Sequence, residues 1–364
     1  MTAIDNPSQH LYVGIPGPSL DARSRELLAA DPPGGIILFK RNVVDAEQLL
    51  SLVAELRRTV PDAVLAIDAE GGRVDRLSGI TGPSPAASLR ARGGRAQPVE
   101  AGRLLALALR LFDLDLDFAP VVDLDRGEED NALDGRTFGS RPAAVVGRAR
   151  GFLRGLQGGG VGGCVKHFPG LGAATRDTHF APARVELDEA ELAVDLEPFA
   201  ALAPAVGAVM VGHAIYPAYD AAERPASLSA PVVSDVLRAG LGFDGLVVTD
   251  DLEMQALGEW GDLPARAEAA FAAGCDALLL CHTLEVLPEV AARLAQPQHF
   301  ERHRESSARR LFHQRRLRTL RWASDGASRA RPADFRERLD HLRHGLEQLQ
   351  NELDRFKRMF QTHV

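Results

Sequence analysis

Residues 245–251 read GLVVTDD, a short β-branched, apolar run that ends abruptly on two carboxylates, Asp250 and Asp251. Seven further runs rich in Val, Ile and Leu share this build: LYVGI around Tyr12, GGIILF around Ile37, VLAID ending at Asp68, LDFAPVVD ending at Asp123, GGCVKH ending at His167, AVMVGH ending at His213 and DALLLC ending at Cys281. Helical patterns lie between them. Two examples are 45–59, with Leu49, Leu50, Val53 and Leu56 on one face, and 263–273, which stops at Gly274. This is the βαβ rhythm of a parallel sheet rather than a meander, and eight strands with eight helices predict an α/β fold, a (β/α)8 TIM-type barrel. The middle of each run is apolar, as a packed barrel interior requires. Polar or ionisable residues end six of the eight runs, where barrel enzymes mount their chemistry.

Composition allows this fold. A chain of 364 residues with 45% hydrophobic content can bury a large core. No apolar run reaches eighteen residues, and the start MTAIDNPSQH has no charged segment leading into an apolar one, so neither a membrane span nor a secretory signal is expected and the chain is placed in the cytoplasm. Cys164, Cys275 and Cys281 sit in or beside apolar runs without C-x-x-C spacing, which argues against a disulfide framework and a zinc site. No metal or cofactor is expected.

The charge changes sign near residue 300. Residues 301–364 hold 16 Lys and Arg against 9 Asp and Glu, while the whole chain carries −8. Acidic residues are interleaved there and aromatics are few, so the tail is read as a solvated helical face rather than a nucleic-acid arm. Phe335, Leu339, Leu342, Leu346, Leu349, Leu353, Phe356 and Phe360, spaced alternately four and three apart, form a heptad stripe that needs a partner: the barrel, the preceding helix (roughly 301–322) or a second chain. The expected organisation is a catalytic barrel, 1–295, and a helical C-terminal extension, 296–364, in a monomer or a homodimer joined through that helix.

Candidate chemistry gathers on the strand ends. Asp250 at the barrel mouth has a nucleophile's position, unless it caps a helix beginning near Leu252; Asp251 points the other way along the strand and is expected to be a buried hydrogen-bond acceptor. In KHFPGLGAATRDTH (166–179), Asp177 and His179 stand two apart in a loop, so the carboxylate could hold one imidazole nitrogen and raise the basicity of the other. Lys166 and His167 on the preceding strand end could bind hydroxyls. Asp68 with AEGGRVDR supplies an acceptor, two glycines that let backbone approach a ligand, and the donors Arg73 and Arg76, a mixture suited to a sugar. No nucleotide-phosphate loop is present. Arg136, in LDGRTFGS, is a further candidate donor.

Taken in order, IDAEGGRVDR, KHFPGLGAATRDTH, GHAIYPAYDAAERPAS and GFDGLVVTDDLEM resemble the β-N-acetylhexosaminidases of glycoside hydrolase family 3 over about residues 10–290. The length is similar to that of the family's single-domain, bacterial cell-wall-recycling form. The resemblance implies a retaining exo-β-N-acetylglucosaminidase that releases terminal GlcNAc from peptidoglycan-derived muropeptides through a covalent glycosyl-enzyme. Asp250 then matches the nucleophile, and His179, oriented by Asp177, matches the proton donor that replaces the usual second carboxylate. Asp68, Arg76, Arg136, Lys166 and His167 match the sugar-binding positions. Strand alternation admits only one of Lys166 and His167, so the family pattern requires an irregular backbone at Phe168-Pro169. The Arg-rich tail has no counterpart in the pattern. Two alternatives remain: a β-N-acetylglucosaminide phosphorylase, since a neutral histidine does not repel phosphate, and a non-catalytic sugar-binding barrel whose helical tail recruits a partner.

Overall fold

Strand after strand in this chain is buried along its length, and a closed parallel barrel accounts for that, because every strand has helices on one face and the barrel interior on the other. The computed structural model describes residues 6–91, 96–128, 132–178, 180–324, 335–337, 339–345, 347–348 and 351. Its barrel strands are β1 (Leu11–Gly14), β2 (Gly35–Leu38), β3 (Val64–Ile67), β4 (Leu116–Asp117), β5 (Gly162–Phe168), β6 (Ala208–Val211), β7 (Leu246–Asp251) and β8 (Ala277–Leu280). Each pairs in parallel with the next, and β8 closes on β1 through Leu11↔Leu278 and Val13↔Leu280. All eight expected runs supply a barrel strand.

Eight helices follow the strands in turn: α1 (Ala22–Ala30), α2 (Ala46–Thr59), α3 (Ala96–Leu111), α4 (Pro142–Gly158), α5 (Glu189–Leu202), the π-type α6 (Pro231–Gly240), α7 (Leu263–Ala273) and α8 (Leu287–Leu294). The expected helix 45–59 forms, capped by Asp45 on the Gln48 N–H, and it buries Leu49, Leu52, Val53 and Leu56. The expected helix 263–273 forms too, and Gly274 ends it at φ 125°.

Alternation sorts the strand side chains into two cores. Tyr12, Ile37, Ala66, Leu116, Met210, Val248 and Leu279 fill the barrel, while Leu11, Val13, Ile36, Leu65 and Val247 meet the helices. One expectation needs correction. The fourth run stays in the ladder only over Leu116–Asp117, because Pro120 has no N–H to donate; beyond it, a bridge from Val121 to Lys166 carries the chain to Asp123.

The tail helix α9 (Phe300–Ser324) runs beneath the barrel. Its Leu317 belongs to the interior core, and the missing side chain at Gly162 leaves it room, since a Cβ there would lie 2.3 Å from Leu317 Cδ2. Asp276, fully buried before β8, anchors the same floor. It accepts from Arg238 of α6, from Arg302 (3.1 Å) and Arg309 (3.2 Å) of α9, and from the Val247 N–H. Burial opposes its ionisation, but the three guanidinium groups outweigh that and hold its carboxyl below the usual range.

Of the heptad stripe, Phe335, Leu339 and Leu342 pack on the chain's own barrel. Phe335 meets Phe112 edge-on at 5.8 Å, Leu342 is fully buried, and Arg343 Nε donates to Ile80 O at 2.9 Å. Leu346, Leu349, Leu353, Phe356 and Phe360 lie outside the described residues. Among the described residues, no helix is long and apolar enough to cross a membrane.

Candidate active site

At the C-terminal mouth of the barrel a cavity of about 270 Å³ is lined by Asp68, Arg76, Arg136, Lys166, His167 and Asp250, with Glu70, Asp251 and His282 alongside them. Six of the eight predicted site residues therefore meet at one place. His179 lies outside the described residues. Asp177 is half-buried, its backbone carbonyl accepting from the Phe180 and Ala181 N–H groups (3.1 and 3.2 Å), and it is not part of the lining.

The cations are held by carboxylates. Lys166 Nζ lies 2.7 Å from Asp68 Oδ1 and 2.6 Å from Glu70 Oε1. Glu70 also takes Arg136 by both arms, Nε to Oε2 and Nη2 to Oε1, each at 2.8 Å. Burial works against the Glu70 carboxylate, but Lys166 and Arg136 outweigh it and hold the group well below the usual carboxylate range. Burial likewise opposes the charge on Lys166, which Asp68 and Glu70 more than restore. Asp117, beneath this group, is different: burial raises its carboxyl well above the usual range, against the hydrogen bond that its Oδ1 accepts from the Ala69 N–H. The cavity wall thus carries fixed charges of both signs with little freedom to reorganise, as hydroxyl recognition requires.

His167 is oriented by Asp123. Its Nδ1 lies 2.7 Å from Asp123 Oδ2, and the same carboxylate accepts the His167 and Leu171 backbone N–H groups. With Nδ1–H donating, Nε2 is left as the acceptor and faces Arg136 Nη2 at 3.4 Å. Both Lys166 and His167 reach the cavity. The irregularity that this requires is present at Phe168-Pro169 and just ahead of it: the Lys166–His167 and Phe168–Pro169 peptides are both cis, and the register with β6 shifts between Val165 and Phe168.

The helix-cap alternative for Asp250 falls away, and two further expectations are corrected. Asp250 does not cap a helix, since only a single 3-10 turn, Gln255–Leu257, follows. Asp251 does accept hydrogen bonds, from the Glu253 N–H (3.0 Å) and His282 Nε2 (3.2 Å), yet it is half-buried and shares the lining with Asp250, because the β7–β8 register shifts between Ala277 and Leu279 and strict alternation fails there. The glycines of AEGGRVDR make a hairpin turn instead of a ligand cradle. Gly71 and Gly72 have φ 87° and 63°, and a Cβ on Gly72 would stand 2.7 Å from Ala86 Cβ. That hairpin aims Arg76 into the cavity and Arg73 away, towards the Ala132 carbonyl.

The sequence alone does not single out Glu70 as a charge partner or Asp123 as an orienting group. The Glu70 signal, an acid directly after a strand end with basic residues on two other loops, was visible only once those loops were brought together. Among the described residues, no group of three or more His, Cys, Asp or Glu is disposed to hold a metal ion.

A closed parallel barrel whose strand ends gather carboxylates, cations and an oriented imidazole around one small cavity defines a barrel enzyme acting on a small polar substrate. Residues 9–313 match the glycosyl hydrolase family 3 N terminal domain. A beta-hexosaminidase of Methylococcus capsulatus is 39% identical over 292 residues, covering 77% of this chain and 86% of that protein. A family 3 β-N-acetylglucosaminidase from Paenibacillus superposes with a TM-score of 0.81 at 30% identity, covering 94% of this chain and 68% of that one. NagZ from Neisseria gonorrhoeae, solved with N-trifluoroacetyl-D-glucosamine, gives a TM-score of 0.75 at 29% identity over 93% of this chain and 98% of that one. The chain belongs to glycosyl hydrolase family 3. It is a glycoside hydrolase.

Proposed function

We propose that the protein is a retaining exo-β-N-acetylglucosaminidase that acts in the cytoplasm on GlcNAc-terminated muropeptides. The observation that carries this reading is that Asp250, at the end of β7, lines the same cavity as Asp68, Arg76, Arg136, Lys166 and His167. Those five residues bind the hydroxyls of one terminal sugar and place its anomeric carbon over the Asp250 carboxylate. Attack by Asp250 forms the carbon–oxygen bond of a glycosyl-enzyme while the bond to the leaving oxygen breaks, and the His179 imidazolium, oriented by Asp177, gives that oxygen its proton. A water then attacks the same carbon, loses its proton to His179 and frees Asp250, so configuration is retained. The printed names of the relatives and the N-acylated sugar bound to one of them support the choice of sugar.

Release of nitrophenol from aryl β-GlcNAc tests the reading. The wild type hydrolyses it, and Asp250→Ala lowers kcat/KM about a thousandfold, or roughly 4 kcal/mol of barrier. Equal rates in the two proteins would remove Asp250 from the chemistry.

A further inference from the structure

At the rim of the cavity, His282 stands two residues after the end of β8 and reaches back to β7. Its Nε2 lies 3.2 Å from Asp251 Oδ2, its ring stacks on Phe39 (centroids 5.9 Å apart, planes inclined by 26°), and more than half of its side chain is open to solvent. Asp251 is in turn tied to Asp250, whose Oδ1 accepts the Asp251 N–H at 2.9 Å. The chain His282, Asp251, Asp250 therefore runs from the rim to the group assigned as nucleophile. None of the four motifs read from the sequence includes His282.

We propose that His282 is a positioning residue of this site: its imidazole pins the Asp251 carboxylate, and through it fixes both the conformation and the charge environment of the Asp250 carboxylate. The inference rests on Asp250 as the nucleophile. Other charged groups face the imidazole from each element packed against it. Asp251 and Glu253 come from the end of β7, Glu253 Oε2 accepting the His282 and Thr283 N–H groups. Arg41 comes from the segment after β2 and, with Arg76 of the hairpin, lies over the Phe39 ring, 4.5 and 5.9 Å from its centroid. Burial and Arg41 oppose protonation of His282, but the hydrogen bond to Asp251, the largest influence, and the charges of Asp251 and Glu253 raise its affinity for a proton above that of an ordinary imidazole. In mildly acidic solution the ring is therefore charged. Removing that charge leaves Arg41 to face Asp251 without the imidazole and makes the Asp250 carboxyl harder to ionise.

His282→Gln keeps a donor for Asp251 without the charge, and His282→Lys keeps a charge without the ring. Aryl β-GlcNAc hydrolysis is followed against pH for the wild type, both variants and Asp250→Ala. The acid limb of kcat/KM is expected to move to higher pH by roughly half a unit in His282→Gln and to return towards the wild-type position in His282→Lys. A merely structural role would scale the whole profile and leave its limbs in place. Coincident limbs in wild type and His282→Gln, with Asp250→Ala inactive, would overturn the role of His282 alone, whereas an active Asp250→Ala would overturn the nucleophile on which it rests.

Discussion

Glu70 grips Arg136 by both arms of the guanidinium, two contacts of 2.8 Å, and takes Lys166 Nζ at 2.6 Å on the same carboxylate. Removing that carboxylate strands the buried Arg136 guanidinium and leaves Lys166 with Asp68 alone. Glu70→Ala is expected to cost about 3–5 kcal/mol in urea unfolding, and Asp68→Ala less, because Lys166 then keeps Glu70. Equal, small losses in both variants would contradict the pairing.

Asp123 fixes which nitrogen of His167 carries the proton. Asp123→Asn can turn its amide NH2 towards Nδ1, which moves the proton to Nε2 and points a donor at Arg136. We expect kcat/KM to fall about tenfold or more, some 1.4 kcal/mol, with the fold intact by circular dichroism. Unchanged kinetics would show that the tautomer of His167 does not matter.

Leu317 tests the floor of the barrel. It is nearly fully buried in the interior core although it comes from the tail helix. Leu317→Ala is expected to destabilise the whole barrel by about 2–5 kcal/mol and to leave KM for the aryl glycoside unchanged. A loss below about 0.5 kcal/mol, the level of a surface change, would mean that α9 does not plug the barrel.

Two histidines under the barrel make its stability depend on pH. Burial, the largest influence on each, lowers His10 to about 3 and His313 to about 4. Both stay neutral in the folded chain, while the unfolded chain takes up protons below about 6.5. Their stability contribution is therefore complete above that pH and is lost as pH falls towards 4, by up to about 1.4 kcal/mol per pH unit for each ring. Urea midpoints at pH 7 and pH 5 should differ less in His313→Gln than in the wild type; equal differences would contradict this.

The fold was legible because each barrel strand is a short apolar run, six of the eight closed by a polar residue, and because helices such as 263–273 carry their own cap and stop. The fourth strand was read too long, since Pro120 interrupts a run that hydrophobicity alone extends to Asp123. Six cavity residues were legible as strand ends and loop cations. Glu70 was not, because its partner Arg136 is 66 residues away and its role exists only in the folded chain. Asp251 and Lys166 or His167 defeated the alternation rule for one reason: the ladder shifts register at both strand ends, so neighbouring side chains open onto the same side.

A covalent sugar on Asp250 is the intermediate that the proposed reaction requires. Incubation with a slow, fluorinated N-acetylglucosaminide, followed by digestion and mass spectrometry, should place one sugar on the peptide that contains Asp250, and none in Asp250→Ala. A sugar on any other residue would contradict the account, as would turnover that releases the inverted anomer with no labelled peptide.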